Sequence, residues 1–160
     1  MVTKKTGQEG RQALTSRLMP AMRRSSAAGV LHGQAIARKA GVNSSDLECL
    51  DLILLNGPST AGEIARRTGL TSGAVTGLID RLERLGLVER TADAQDRRKV
   101  LVRVREDKIA PIGALFAPVE KSMQGLLAGY SRDELKTLVD FFERSGEVLL
   151  TRVAELNDGK

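Results

Sequence analysis

The sequence predicts a mainly α-helical chain with one small β-hairpin, arranged as a winged helix-turn-helix with a flanking helical region. Apolar residues recur at helical spacing through most of its 160 residues, one short segment is rich in β-branched residues, and glycine turns separate the helices. We expect residues 11–41 and 106–160 to form the helical region and residues 42–105 the winged helix-turn-helix. The polar residues 1–10 are expected to be a disordered tail.

The first helix is predicted over residues 11–40, where the apolar pattern is loose. Pro20 and Gly29 interrupt it, so we expect a kinked helix or two shorter ones. Gly41 is the expected C-terminal cap. A second helix follows and ends at the Asn-Gly-Pro run of residues 56–58, with Asn43 or Ser44 as its N-terminal cap.

Two further helices are predicted in the middle of the chain. Thr60 and Glu63 have the spacing of a capping box, and the short helix that they begin ends at Gly69. Thr71 caps the next helix, residues 71–85. Its apolar stripe has a 3.6-residue period and consists of Val75, Leu78, Ile79, Leu82 and Leu85.

The pattern changes after this helix. Residues 87–90 and 99–104 are strand candidates, and the polar residues 91–98 between them favour an antiparallel hairpin with a charged tip. A helix over residues 109–129 is then predicted, with a kink at Pro118. The last helix begins at a second capping box and has a nearly seven-residue apolar repeat, made by Leu135, Leu138, Phe142, Leu149, Val153 and Leu156.

The helix over residues 71–85 has the features of a DNA-reading element. Its outward face carries Gly73, Thr76 and Gly77, and each glycine costs about 1 kcal/mol in a helix interior. Close approach to a groove wall explains two such glycines, while simple tolerance is the alternative. Ser72 and Thr76 offer hydroxyls to phosphate or base, because a helix presents its first residues in the major groove.

The hairpin tip is the second such element. An arginine at a narrow tip can enter a minor groove, where negative potential concentrates, and Asp96 is placed to brace Arg98. A solvated charged turn is the alternative. The net charge of +5 points towards a polyanionic partner, and the excess positive charge lies in residues 1–41 and 60–105.

The composition and motifs of the sequence argue against several other classes of protein. One cysteine, Cys49, and one histidine, His32, cannot form a disulfide framework or a four-ligand Cys/His zinc site, so we expect no metal and no cofactor. No glycine-rich phosphate loop or catalytic constellation is present, which argues against an enzyme. We find no signal peptide or membrane span and expect a cytoplasmic protein. Four aromatic residues are too few for single-strand stacking platforms.

At motif level, residues 42–105 resemble the DNA-binding core of the MarR family of bacterial regulators. The run GAVTGLIDRLERLGLVER, residues 73–90, and the D-x-x-D-R-R hairpin carry the resemblance. It implies a homodimer in which residues 11–41 and 106–160 form the helical dimerisation region. Each protomer is expected to place its recognition helix, 71–85, in the major groove and its wing, 87–104, in the minor groove of a pseudo-palindromic operator on double-stranded DNA.

The resemblance also assigns roles to residues. Arg81 is expected to support the phosphate contact or the wing, and Arg98 to reach the minor groove with Asp96 orienting it. The full set of DNA-binding residues is then Ser72, Gly73, Thr76, Gly77, Arg81, Asp96, Arg97, Arg98 and Lys99, of which Arg97 and Lys99 are backbone contacts.

Family members usually repress and release DNA when a small, often aromatic and anionic, effector binds between the dimer helices and the DNA-binding lobe. By that analogy His32 is a ligand-binding candidate, with a packing histidine as the alternative. Cys49 lies in the second helix, whereas the family's oxidant-sensing cysteine lies in the first, so we expect a structural thiol. The alternative function is a winged-helix module that binds only protein, without specific DNA binding.

Overall fold

The computed structural model describes residues 10–158. The predicted disordered tail therefore lies outside the described residues, apart from Gly10. The described chain is mostly helical, with a small antiparallel sheet in its middle. Its elements in order are α1 (Arg11–Ala40), α2 (Ser44–Asn56), β1 (Ser59–Thr60), α3 (Ala61–Thr68), α4 (Ser72–Arg84), β2 (Val88–Ala92), β3 (Val100–Val104), α5 (Glu106–Leu127) and α6 (Arg132–Asp158).

A single apolar core lies between α2, α3, α4 and the sheet, and the end of α1 and the start of α5 close it. Helix α4 contributes the apolar stripe that its sequence predicts, because the 3.6-residue period places those side chains on one face. The buried apolar residues are Ile36, Ala37, Leu47, Cys49, Leu50, Ile53, Ile64, Val75, Leu78, Ile79, Leu82, Leu87, Val88, Val102 and Ile112.

The sheet has three strands in the order β1-β3-β2, and both pairs are antiparallel. The predicted hairpin is confirmed, with Val88 opposite Val104 at its base and Ala92 opposite Val100 near its tip. Strand β1 was not predicted, because two residues carry no period of their own and depend on β3 for their pairing. It ties the hairpin to the segment that precedes α3.

The long helices differ from the sequence prediction in their continuity. Helix α1 runs through Pro20 without a break, so the two-helix alternative was wrong. Helix α5 is continuous through Pro118 and begins at Glu106, three residues before the predicted start at 109. These prolines lie on exposed faces, where water can solvate the carbonyl that loses its partner.

Leu85 is the exception in the predicted stripe of α4. It is 52% exposed, because α4 ends at Arg84 and Leu85 then faces an open cavity between α1, α4 and α5. Asn43 occupies the predicted N-cap of α2 but makes no side-chain cap hydrogen bond. Its amide points instead to a carboxylate of the same helix turn, 3.4 Å away at Asp46.

Helix α6 stands apart from this core. None of its side chains described here is buried, although it carries the predicted apolar repeat. Leu135 and Leu138 are half-buried, whereas Phe142, Leu149 and Leu156 are 64%, 66% and 76% exposed. The N-terminal half of α1 and the C-terminal half of α5 expose further apolar residues, namely Leu14, Leu18, Met19, Met123, Leu126 and Leu127.

Candidate nucleic-acid interface

The turn between α3 and α4 is held by local hydrogen bonds. The capping box at α3 is confirmed, since the Thr60 amide donates to Glu63 Oε2 at 2.7 Å and the Glu63 amide donates to Thr60 Oγ1 at 3.2 Å. Gly69 ends α3 with φ +67°, a conformation that favours glycine. Thr71 caps α4 by accepting from the Ala74 amide at 3.3 Å. The sequence therefore fixes where α4 begins.

The N-terminal face of α4 is smooth and exposed. Ser72, Gly73 and Thr76 are exposed and Gly77 is half-buried. A Cβ built at Gly73 meets nothing within 4 Å in the described part of the chain, and one at Gly77 lies 3.8 Å from Arg81 Nη1. Packing inside the protomer therefore does not require either glycine. This leaves close approach by another molecule, or tolerance, as their explanation.

The tip of the hairpin presents one braced arginine. The Arg98 side chain is 92% exposed, and its Nε lies 3.2 Å from Asp96 Oδ1. The same oxygen accepts the Arg98 amide at 3.1 Å, so one carboxylate fixes both the turn and the guanidinium. Arg97 and Lys99 beside it are also exposed. The tip thus carries three cations and one bracing acid at the far end of the wing.

Arg81 lies on α4, away from the tip of the hairpin, and pairs with a residue of α2. Its Nε and Nη2 donate to the two carboxylate oxygens of Asp46 at 3.0 and 2.6 Å. The hydrogen bond to Asp46 and that carboxylate's charge raise the pKa of Arg81 above its ordinary value. Arg81 therefore joins α4 to α2, although 39% of its side chain stays exposed.

Arg90 makes a second link to α4, from the wing. Its Nη2 lies 2.6 Å from Asp80 Oδ1, and its Nη1 pairs with Glu83. The hydrogen bond that Arg90 donates to Asp80 is the main reason that the pKa of Arg90 is raised. Strand β2 is thereby fixed against α4, so the wing and α4 form one surface.

Comparisons with known proteins identify this domain. A MarR-family sequence profile matches residues 40–99. The HTH-type transcriptional regulator YcgE of Bacillus subtilis (strain 168) is 37% identical over 120 residues, which cover 75% of this chain and 78% of that protein. The regulator YkoM of the same organism is 32% identical, over 72% of this chain and 75% of its own length. The chain belongs to the MarR family.

A solved structure shows the same fold in that family. A MarR family protein from Bacillus stearothermophilus superposes with a TM-score of 0.65 over 88% of this chain and 99% of its own, at 21% identity. The fold class predicted from the sequence is confirmed, and the chain is a DNA-binding transcriptional regulator with a winged helix-turn-helix.

Sequence reasoning missed Asp46 and Arg90 in this MarR domain. A signal for Asp46 was present, because it lies on the apolar stripe of α2 with Cys49, Leu50 and Ile53 at helical spacing. A carboxylate on such a stripe requires a buried partner. The partner itself, 35 residues away, is not readable from spacing.

The single histidine and cysteine of this MarR protein both have packing roles in the structure. His32 is half-buried and meets the ring of Phe116 edge to face, with centroids 5.9 Å apart. Cys49 is 1% exposed, and burial together with the Asp46 charge raises the pKa of its thiol to about 11. A thiol with such a pKa is almost fully protonated near neutral pH, which agrees with the expected structural role.

A cavity of about 400 Å³ opens where the helical region meets the winged helix-turn-helix, residues 42–105, which we call the winged lobe. Most of its lining residues are apolar, and the other two are lysines, one from α1 and one from α5. His32 does not line it. The lining residues are Lys39, Ala40, Val42, Leu85, Leu87, Lys108, Pro111, Ile112 and Leu115.

Residues 10–158 contain neither a metal-binding cluster nor a membrane-spanning helix. No group of three or more His, Cys, Asp or Glu side chains is placed to hold a metal ion there. Among the same residues, no helix combines the length and apolar character needed to cross a membrane.

Proposed function

We propose that this MarR-family chain is a homodimeric repressor of a pseudo-palindromic operator. Each protomer lays the N-terminal face of α4, with Ser72, Gly73, Thr76 and Gly77, in the major groove. Each wing places Arg98 in the adjacent minor groove, while Arg97 and Lys99 contact the backbone. The chain acts by binding rather than by catalysis, and in the cytoplasm, where its operator is.

The observation that carries this proposal is the geometry of Arg98. An arginine that is 92% exposed would ordinarily sample many rotamers, but Asp96 holds this one at the end of a two-stranded arm. A pre-ordered cation loses less entropy when it enters a narrow groove of negative potential. The ion pair of Arg90 with Asp80 fixes the position of the wing relative to α4, so both can contact one face of a duplex.

The exposed apolar faces support the homodimer. In α6, Phe142, Leu149 and Leu156 are each more than 60% exposed, and they recur on the helix at nearly heptad spacing. Apolar stripes of this length are usual at protein interfaces and rare on monomers. The same kind of face on α1 and α5 lies on the other parts of the predicted dimerisation region, so a second copy of this chain covers all three.

The cavity between α1, α4 and α5 supports release by a small effector. Lys39 and Lys108 line an otherwise mostly apolar pocket, which suits an aromatic anion. An effector there would contact both the helical region and α4 through Leu85, and so favour one spacing of the two recognition helices. The contact of His32 with Phe116 supports its packing role, so we assign the effector to the lysine pocket.

The test is Arg98→Ala measured over a salt series on the duplex that the wild-type chain selects from a random pool. We expect about a tenfold loss of affinity and a salt slope that falls by about 1 per protomer. Arg103→Ala is the matched control, because it removes the same charge at the base of the same hairpin, where Arg103 pairs with Glu89 at 2.9 Å.

Two results would contradict the proposal. If Arg98→Ala and Arg103→Ala have equal effects, the tip has no special role in the groove. If the wild-type chain binds no duplex even at low salt, the winged helix is a protein-binding module instead.

A further inference from the structure

We propose that Asp46 is a positioning residue for DNA recognition, which holds the recognition helix through Arg81 and keeps that guanidinium off the phosphates. The inference rests on the proposed function, since it concerns how the same interface is held. It gives Arg81 a different role from support of the phosphate contact or of the wing, which the family resemblance implies.

The first step is the burial of the Asp46 carboxylate. Its side chain is 2% exposed, and both of its oxygens accept hydrogen bonds. Oδ1 accepts from Arg81 Nη2 at 2.6 Å, and Oδ2 accepts from Arg81 Nε at 3.0 Å and from Asn43 Nδ2 at 3.4 Å. A buried charge is strongly unfavourable without such partners, so the Arg81 side chain is committed to this carboxylate.

The second step is the geometry around α4. Its apolar stripe packs on α2 and the sheet, but apolar contacts are not directional and permit small rotations of the helix about its axis. Arg81 and Asp80 are consecutive, so they point about 100° apart around the helix. Arg81 is held by Asp46 on α2, and Asp80 is held by Arg90 on the wing. Two directional links on different sides fix the rotation.

The third step connects that rotation to recognition. Gly77 precedes Arg81 by one helical turn, and Gly73 precedes it by two, so the small residues and Arg81 share one side of the helix. A rotation that breaks the Asp46 pair therefore also turns the small face away from its direction in the folded protein. Specific binding depends on that direction, whereas non-specific attraction to phosphate depends mainly on net charge.

Asp46→Asn tests this inference because the two possible roles of the pair predict opposite signs. The variant loses one negative charge, so electrostatics alone would strengthen DNA binding. If Asp46 positions α4, affinity for the selected duplex falls about tenfold, while affinity for random duplex is unchanged or rises. Glu48→Gln is the matched control, because it removes the same charge from an exposed position on α2, and it is expected to keep the ratio of the two affinities.

The salt slope distinguishes the roles of Arg81. If Arg81 contacts phosphate, Arg81→Ala lowers the slope by about 1 per protomer and Asp46→Asn leaves specific binding intact or improves it. That result overturns the proposal. If Arg81 acts through Asp46, both variants lose specificity and the slope stays as in the wild type. Tm by circular dichroism confirms that each variant is folded.

A double variant covers the case in which Asp46→Asn does not fold. Replacing both partners by apolar residues, Asp46→Leu with Arg81→Met, leaves no unpaired buried charge and often preserves stability. We expect the folded double variant to bind random duplex normally and to lose preference for the selected one. Full retention of that preference overturns the proposal, as does failure of both variants to fold, because the pair is then structural only. If the wild-type chain itself selects no duplex, the proposed function fails instead.

Discussion

The winged lobe buries a core of apolar side chains, whereas the last helix, α6, exposes most of those in its apolar repeat. In the lobe, Val75, Leu78 and Leu82 are at most 1% exposed within one protomer. In α6, Leu149 and Leu156 have an equally regular spacing and are 66% and 76% exposed. The apolar stripe of α4 is therefore buried within a single chain, whereas these α6 residues stay exposed in the described part of the chain.

This difference shows how burial separates two uses of the same sequence pattern. A 3.6-residue stripe next to turns and a hairpin folds against its own neighbours, because short connections bring them together. A nearly seven-residue stripe on the 27-residue helix α6 leaves most of its side chains exposed in the described part of the chain. The proposed function assigns this stripe to a surface of equal length on a second copy of the chain.

The largest expected effect comes from Leu82→Ala in the lobe. Its side chain is fully buried, so truncation is expected to lower the free energy of unfolding by about 2–5 kcal/mol at every protein concentration. Leu149→Ala on α6 is the matched comparison, and we expect its effect to diminish as the protein is diluted. Urea denaturation at two concentrations, 100-fold apart, measures both. Equal behaviour of the two variants would remove the distinction between the regions.

Phe142→Glu tests the exposed stripe itself. Placing a charge at the centre of a buried interface is expected to raise the dimer dissociation constant about 100-fold or more, because the carboxylate loses its water. Phe142 belongs neither to the described core cluster nor to the apolar residues packed against it, so the fold of residues 42–105 should persist. Sedimentation equilibrium measures the constant, with Glu143→Gln on the same helix as control. An unchanged constant would mean that α6 lies outside the interface.

Much of the fold is local and could therefore be predicted. Capping boxes at Thr60 and Ser131, the positive φ of Gly41 and Gly69, and the α4 stripe all depend on residues within two turns of one another. Each was confirmed. Strand β1 pairs with β3, and Asp46 pairs with Arg81, across more than thirty residues of sequence, and no local pattern encodes either pairing.

The candidate site likewise combines local features that could be predicted from the sequence with long-range features that could not. The Asp96–Arg98 brace spans two residues, and its geometry was predicted from that spacing. The role of Arg81 came from family resemblance, which carries no information about a carboxylate in the preceding helices. Leu85 continued the stripe in sequence, but the end of α4 left it beside a cavity. The burial predicted for Leu85 was therefore wrong at the point where α1, α4 and α5 meet.

The two capping boxes offer a smaller and closely matched comparison. In the helical region the Ser131 amide donates to Glu134 Oε2 at 2.7 Å, the same distance as in the lobe. Thr60→Ala and Ser131→Ala should each cost about 1 kcal/mol. We expect the first to lower lobe stability directly and the second to act mainly through dimer stability. Thermal denaturation at two protein concentrations separates them, and a concentration dependence for Thr60→Ala would contradict the comparison.

The smallest effect is a pH dependence at the same boxes. The amide hydrogen bonds lower the pKa of Glu63 and of Glu134 below the ordinary value of 4.5. The folded state then binds fewer protons than the unfolded state, so the stabilisation is complete above pH 4.5 and lost as the pH falls through the lower folded value. The stability difference between wild type and Glu63→Gln should shrink in that range. A difference constant down to pH 3 would contradict this, and urea titrations at each pH provide the measurement.

In this account the winged lobe folds within one chain and the helical region pairs two chains. The most direct test is the number of chains that bind one duplex. Native mass spectrometry of the wild-type chain with its selected duplex measures how many 17.3 kDa chains bind. We expect two chains per duplex, on half-sites about 10–10.5 base pairs apart, and two chains in the free protein. One chain per duplex, with a monomer in solution, would contradict the account.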